Sequence, residues 1–239
     1  MTDYFRSTRH PFACALFVFP LLALYEVGVV ALAGSNGDGL RNGADAWVRS
    51  LLAAYGVNFA WTAPALLAVY LIARCGWEWG DRPKAPFATV FGMFIECAVF
   101  SAAIWTLSRN FYPLLEKAGL PLNQIQFQPV ASGQVIQFIG AGIYEELLFR
   151  VGLFGVLYLL ARVALVPKVF AVLFAGVVAA LVFSAAHHWG VNGEPMHTAK
   201  FLFRTAAGLV FTALYVTRGL GVAVGAHAGY NILVGVSVA

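Results

Sequence analysis

Charge is what this chain has least of. Asp, Glu, Lys and Arg together make up 11% of its 239 residues, where an ordinary soluble domain carries about 25%. So few charges cannot cover the surface of a soluble protein of this length. The 61% hydrophobic composition and mean hydropathy of +0.79 point instead to an all-α, polytopic helical membrane protein. Cysteine is scarce too. Cys14, Cys75 and Cys97 stand far apart, in or beside apolar runs. They form no CxxC or Cys/His spacing, so they read as small buried hydrophobes. Nor is there a basic stripe behind the net charge of +4. Lys and Arg sit singly at the ends of apolar runs, which suits lipid headgroups and argues against nucleic acid as a partner.

Several catalytic patterns are missing as well. No His-Glu-x-x-His zincin motif and no Gly-x-Ser-x-Gly elbow occurs. Asp3, Asp38, Asp45 and Asp81 all fall at the ends of apolar runs or in loops, so there is no intramembrane aspartate pair. No polar block is long enough for a soluble domain, and no internal repeat is visible. The expectation is a single membrane domain over 1–239, with N-terminal helices and a loop over 1–132 and the chemistry-bearing helices over 133–239.

A spanning helix needs about 20 mostly apolar residues. By that measure spans are expected over 11–33, 58–75, 87–107, from 133 onward, 169–189, 197–216 and 222–239, seven in all, within a range of six to eight. The first run is too long for a signal-peptide core and carries Tyr25-Glu26, so it reads as a retained helix. Residues 46–56, with Trp47 and Arg49, form a shorter amphipathic piece suited to the interface. The interval 109–132 reads as an ordered loop over the membrane domain. Apolar character after residue 133 continues to Leu165, longer than one span, with a bend expected near Gly152 or Gly155. The basic residues of alternate ends favour an N-terminus inside, as in the cytoplasmic (inner) membrane of a prokaryote.

The charges that do enter apolar runs fall in a pattern. Between Val135 and Leu160 every residue is apolar, aromatic or Gly, except Gln137, Glu145, Glu146 and Arg150. Ionisable groups at membrane depth are functional-site hypotheses. Glu146 and Arg150, four residues apart, share a helix face and can pair. Glu145 points about 100° away, which leaves it free as a general base or acid. His187 follows Phe183 by one turn, with His188 beside it. His227 and Asn231 share a face of the last run, separated by small residues. Glu145, His187 and His227 can form a His₂Glu site for one divalent metal, zinc above all. Without a metal, Glu145 and His187 can activate a water while His227 and Asn231 stabilise an oxyanion. Both schemes hydrolyse an acyl bond, and the residues leave the choice open. Glu26 and Glu96, also within spans, either pair with a basic residue or extend the polar interior. His10 and His197 read as interfacial.

The ordered trio Glu145-Glu146-x-x-x-Arg150, Phe183-x-x-x-His187 and His227-x-x-x-Asn231 resembles the CPBP family of intramembrane endopeptidases, which includes CAAX proteases and bacteriocin-processing enzymes. The resemblance covers about the last hundred residues. It implies a helical membrane domain with a water-filled site in which Glu145 and His187 activate water. Glu146 and Arg150 would hold the charge state and the helix arrangement, and His227 and Asn231 would complete an oxyanion or metal site. The family is usually labelled metalloprotease, and a metal-free glutamate mechanism is also argued for it. The implied partners are membrane lipid and a small membrane-associated peptide or protein substrate. Two other functions use the same residues differently: a proton-coupled transporter with the Glu/His cluster as a relay, or a non-catalytic immunity or scaffold protein.

Overall fold

Apolar runs separated by glycine and proline dictate helices, and helices are what form. The computed structural model describes residues 2–33, 38–59, 61–117, 119, 132–190 and 193–236. The order is α1 (Thr2–Arg9), α2 (Pro11–Ala33), α3 (Gly43–Ala54), α4 (Thr62–Trp77), α5 (Pro86–Lys117), α6 (Ser132–Glu146), α7 (Gly155–Val163), α8 (Lys168–Ala186), α9 (Thr198–Arg218) and α10 (Leu220–Val236). No strand occurs among the described residues. A π-helical stretch, Leu147–Phe154, joins α6 directly to α7.

Among the described residues four helices, α2, α5, α8 and α9, are long and apolar enough to cross a membrane, and α4 and α10 are shorter apolar helices. Their outward faces are apolar. Phe87, Phe91, Phe94, Ile95 and Val99 of α5 are exposed, as are Phe170, Leu173, Phe174 and Val177 of α8. In water such surfaces would associate; in a bilayer they meet acyl chains. The chain is an integral membrane protein.

One expectation about the helices needs correction. Residues 109–117 are not loop: α5 runs through Pro113 to Lys117. A proline removes one backbone hydrogen bond, which is tolerable near a polar helix end where water can satisfy the freed carbonyl. The rest of the expected loop, 118 and 120–131, lies outside the described residues. Near Gly152 and Gly155, where a bend was expected, the helix widens into the π-helical stretch. His10, expected at the interface, is buried within the protein. Its Nε2–H donates to the Glu78 carbonyl at 2.9 Å, and its Nδ1 accepts from Phe12 N–H at 3.1 Å, which joins α1 to the start of α2.

At the centre stands α10, with Leu220 to Val224 and Ala226 to Ala228 buried and packed against α2, α5, α6 and α9. Small residues make that possible. A side chain at Gly142 of α6 would meet Ala228 and the Val224 carbonyl of α10 at 2.8 Å, so only glycine lets the two backbones come this close. That approach brings the end of α6, where the paired glutamates sit, against His227. Polar ties lock α5 to α10 as well: Ser101 Oγ donates to the Ala226 carbonyl at 3.0 Å.

Candidate active site

The end of α6 carries Glu145 and Glu146 into different surroundings. Glu146 is fully buried, and its Oε1 lies 3.1 Å from Arg150 Nη1 and 2.8 Å from His227 Nδ1. Arg150, also fully buried, donates through Nη2 to the Gly208 carbonyl at 3.1 Å. Its guanidinium lies over the rings of Phe183 (4.8 Å) and Phe211 (5.6 Å). A buried ion pair persists only when such partners offset its desolvation. Arg150 belongs to the π-helical stretch, a distortion frequent at functional sites.

Glu145 faces the other way, with its Oε2 lying 3.7 Å from His227 Nε2 and 3.9 Å from His187 Nε2. Neither distance is a hydrogen bond. The other nitrogen of each ring is already engaged. His187 Nδ1 lies 2.9 Å from the Phe183 carbonyl, which can only accept, so that nitrogen carries the proton. His227 Nδ1 sits 2.8 Å from the Glu146 carboxylate and donates to it. In the neutral form of each ring, both Nε2 lone pairs face the Glu145 oxygen. Burial pushes His187 below its usual pKa, with Glu145 opposing, which keeps the ring neutral at neutral pH. Phe183 meets both imidazoles edge-on, at 5.0 and 5.9 Å, and Phe211 stacks on His227 at 4.4 Å.

His187 is the residue just past the end of α8, not part of the helix, and its ring satisfies one of the last carbonyls of that helix. Its neighbour His188 points elsewhere, with Nδ1 donating to the Glu194 carbonyl at 3.0 Å and its ring against Phe201. Asn231 lies one turn beyond His227 on α10 and is half-buried. No hydrogen bond joins it to the other candidates. The structure thus draws Glu145, Glu146, Arg150, His187 and His227 together and leaves Asn231 at the edge.

A cleft of about 430 Å³ opens here, lined among others by Asn42, Trp47, Glu145, Phe149, His187 and Glu194. At its rim, burial alone would raise the Glu194 pKa. Hydrogen bonds from Arg204 and Lys200, both 2.8 Å, outweigh it and hold the carboxyl at about 2.

Sequence reasoning did not anticipate Asn42. Its Nδ2 donates to Glu145 Oε1 at 3.1 Å. Nor did it anticipate the ion network behind Asn42. Asp45, expected in a loop, is fully buried in the first turn of α3. It holds Arg41 (2.9 Å), Arg49 (2.7 Å) and the Tyr25 hydroxyl (2.8 Å). Glu26 pairs with Arg41 at 3.2 Å and accepts from the Tyr144 hydroxyl at 2.9 Å. Arg41 and Arg49, read as headgroup-facing residues, are committed to this network. Their i, i+4 spacing about Asp45 was the available signal. Glu96 pairs with Arg218, so both intramembrane glutamates outside the trio take the paired option.

Any metal would bind through Glu145 Oε2 and the two Nε2 atoms, a donor set of the kind zinc accepts. Each imidazole is oriented by a hydrogen bond from its far nitrogen, as in metal sites. Among the described residues, no three His, Cys, Asp or Glu side chains are already gathered into a cage.

Residues 128–233 match the family model described as Type II CAAX prenyl endopeptidase Rce1-like. No curated protein matches the chain significantly, and no solved structure does. The apolar helices belong to a membrane protein, and its segment 128–233 is similar to that endopeptidase family.

Proposed function

With residues 128–233 similar to the Type II CAAX prenyl endopeptidase Rce1-like family, we propose that the chain is an endopeptidase that hydrolyses a peptide bond in a small membrane-associated substrate, with prenylated CAAX proteins as the substrate class the likeness points to. One observation carries the reading. With both rings neutral, Glu145 Oε2 and the Nε2 atoms of His187 and His227 face each other as three acceptors with no donor between them. Acceptors that face a cleft take water as their partner. A water supplies two protons to such a group, and the cleft gives it a route in.

In this reading Glu145 takes a proton as the water oxygen attacks the substrate carbonyl carbon. The C–N bond then breaks, and the proton passes from Glu145 to the leaving nitrogen. His187 Nε2 and Glu145 Oε2 face the same O–H of the water, the one whose proton leaves as the oxygen attacks. His227, its tautomer set by Glu146, accepts a hydrogen bond from the other O–H, which stays on the oxygen, and keeps that oxygen in register. Arg150 neutralises Glu146, so that His227 meets a carboxylate already paired. Asn231 is the amide donor for the oxyanion. A zinc ion held by Glu145, His187 and His227 would lower the pKa of the water.

The exposed apolar faces are the lipid contact. With Arg41, Arg49 and Arg218 taken by buried pairs, the basic residues left to set topology are Arg6, Arg9, Arg74, Arg82, Lys84, Arg162 and Lys168 at one end and Arg109, Lys117, Lys200 and Arg204 at the other. The excess at the first end favours an N-inside arrangement in a prokaryotic inner membrane.

The test is cleavage of a fluorogenic farnesylated CAAX peptide by purified protein in detergent. Glu145→Ala and His187→Ala are expected to lose at least about 100-fold in kcat while retaining helical content by circular dichroism. A folded Glu145→Ala protein that cleaves at the wild-type rate sinks the assignment.

A further inference from the structure

We infer that Asn42, which lies outside the family-matched segment, is a positioning residue for Glu145: its amide ties down one carboxylate oxygen so that the other is presented to the reacting water. The inference rests on the hydrolytic reading above and adds to it a residue from the N-terminal helices.

Asn42 is held from three sides. Its Oδ1 accepts from Ala44 N–H at 2.8 Å and caps α3. Its backbone N–H donates to the Tyr25 hydroxyl oxygen at 3.1 Å, and that hydroxyl donates in turn to Asp45. With Oδ1 used as the cap, the NH₂ end of the amide has one direction left. In that direction it meets Glu145 Oε1 at 3.1 Å. Turning the amide end for end would lose both bonds, since the NH₂ group cannot accept and the carboxylate cannot donate. The orientation therefore follows from the chemistry of the partners.

For Glu145 the consequence is asymmetry. The terminal torsion of a glutamate is broad and nearly two-fold, so an unrestrained carboxylate offers either oxygen. Here Oε1 has a neutral donor, and Oε2 faces only the two imidazole acceptors. The network behind Asn42 stiffens the arrangement. Glu26 and Asp45 balance Arg41 and Arg49, and Tyr25 and Tyr144 close the remaining acceptors. A fully satisfied buried network of this kind rigidifies what it touches. It touches the first turn of α3, where Asn42 stands. The same side chain lines the cleft, beside the space in which substrate is processed.

Capping and positioning separate by substitution. Asn42→Ser and Asn42→Asp keep a good N-cap but remove the amide donor, whereas Asn42→Ala removes both. Full-length protein in detergent is assayed with the farnesylated CAAX peptide, and Tm is measured in parallel. Asn42→Ser is expected to lower kcat about 10- to 100-fold, the loss of one hydrogen bond to a charged group. Its KM should change less than about threefold, the pattern of a group that acts on the transition state. Its Tm should stay within about 2 °C of wild type, as a conserved cap requires. Asn42→Asp sets a second carboxylate against Oε1 and falls further in kcat. Asn42→Ala lowers kcat and Tm together. Wild-type kcat in Asn42→Ser overturns the inference, and so do kcat losses that track Tm across all three variants. If the wild-type protein leaves the peptide intact, or Glu145→Ala cleaves it normally, the hydrolytic reading itself falls and takes this inference with it. An active wild type, an inactive Glu145→Ala and a fully active Asn42→Ser remove the inference alone.

Discussion

His227 Nδ1 and Glu146 Oε1 lie 2.8 Å apart, and this contact decides which nitrogen of the ring faces Glu145. The second glutamate of the pair thus acts on the first through an imidazole on another helix. Two adjacent carboxylates, alike in sequence, are in the proposed reaction divided between holding and reacting.

That division predicts opposite phenotypes. Glu146→Ala leaves the buried Arg150 guanidinium without its carboxylate, a loss expected to cost about 3–5 kcal/mol of stability. Glu145→Ala removes only a hydrogen bond from Asn42 and is expected to cost about 1 kcal/mol. Thermal unfolding in detergent measures both. Equal Tm values for the two variants would contradict the division.

The histidine doublet gives a second contrast. His187→Ala is expected to lose at least about 100-fold in kcat. His188 turns to the Glu194 carbonyl and Phe201, so His188→Ala should keep kcat within about threefold while lowering Tm slightly. Paired kinetic measurements decide it, and the reverse ranking would move the active imidazole to His188.

The rim of the cleft carries a pH prediction. The folded-state pKa of Glu194, about 2, is depressed below the usual 4.5. For a depressed carboxyl, the stabilisation is complete above the unfolded value and is lost as pH falls through the folded one. The Tm difference between wild type and Glu194→Gln should therefore be constant from pH 7 to about 5 and shrink between about 4.5 and 2. A difference already fading between pH 7 and 6 would show that the pairs with Lys200 and Arg204 do not govern Glu194.

A cation test needs no turnover. A zinc ion held by Glu145, His187 and His227 stabilises the folded form by mass action, so added zinc should raise the wild-type Tm and leave that of His227→Ala unchanged. Parallel elemental analysis gives the stoichiometry. A flat response in both proteins would assign activation of the water to Glu145 and His187 alone.

Much of this architecture was legible because it rests on local pattern. The span 11–33 coincides with α2, and the later spans fall within a few residues of α8, α9 and α10, since a bilayer sets both length and composition. Periodicity also placed Glu146 and Arg150 on one face. It could not find Asn42, because a cap residue before an interfacial helix looks like any loop asparagine, and its partner Glu145 lies 103 positions along the chain. Asp45 was misplaced for a related reason. Read alone it is a loop acid, and only the fold brings Tyr25 and Glu26 of α2 beside it and its two arginines. The end of α8 was set three residues too late, at 189 rather than Ala186, because apolar character continues through Trp189 after the helix has stopped.

The burial of α10 has a bearing on biogenesis. A ribosome delivers α2, α5, α6 and α9 before α10, the helix that packs against all four. Until α10 arrives, Glu145 has no His227 opposite it and Glu146 has no imidazole to hold. The partly synthesised chain carries both glutamates without that imidazole beside them, and in the proposed reaction the event that closes the core is also the one that completes the site.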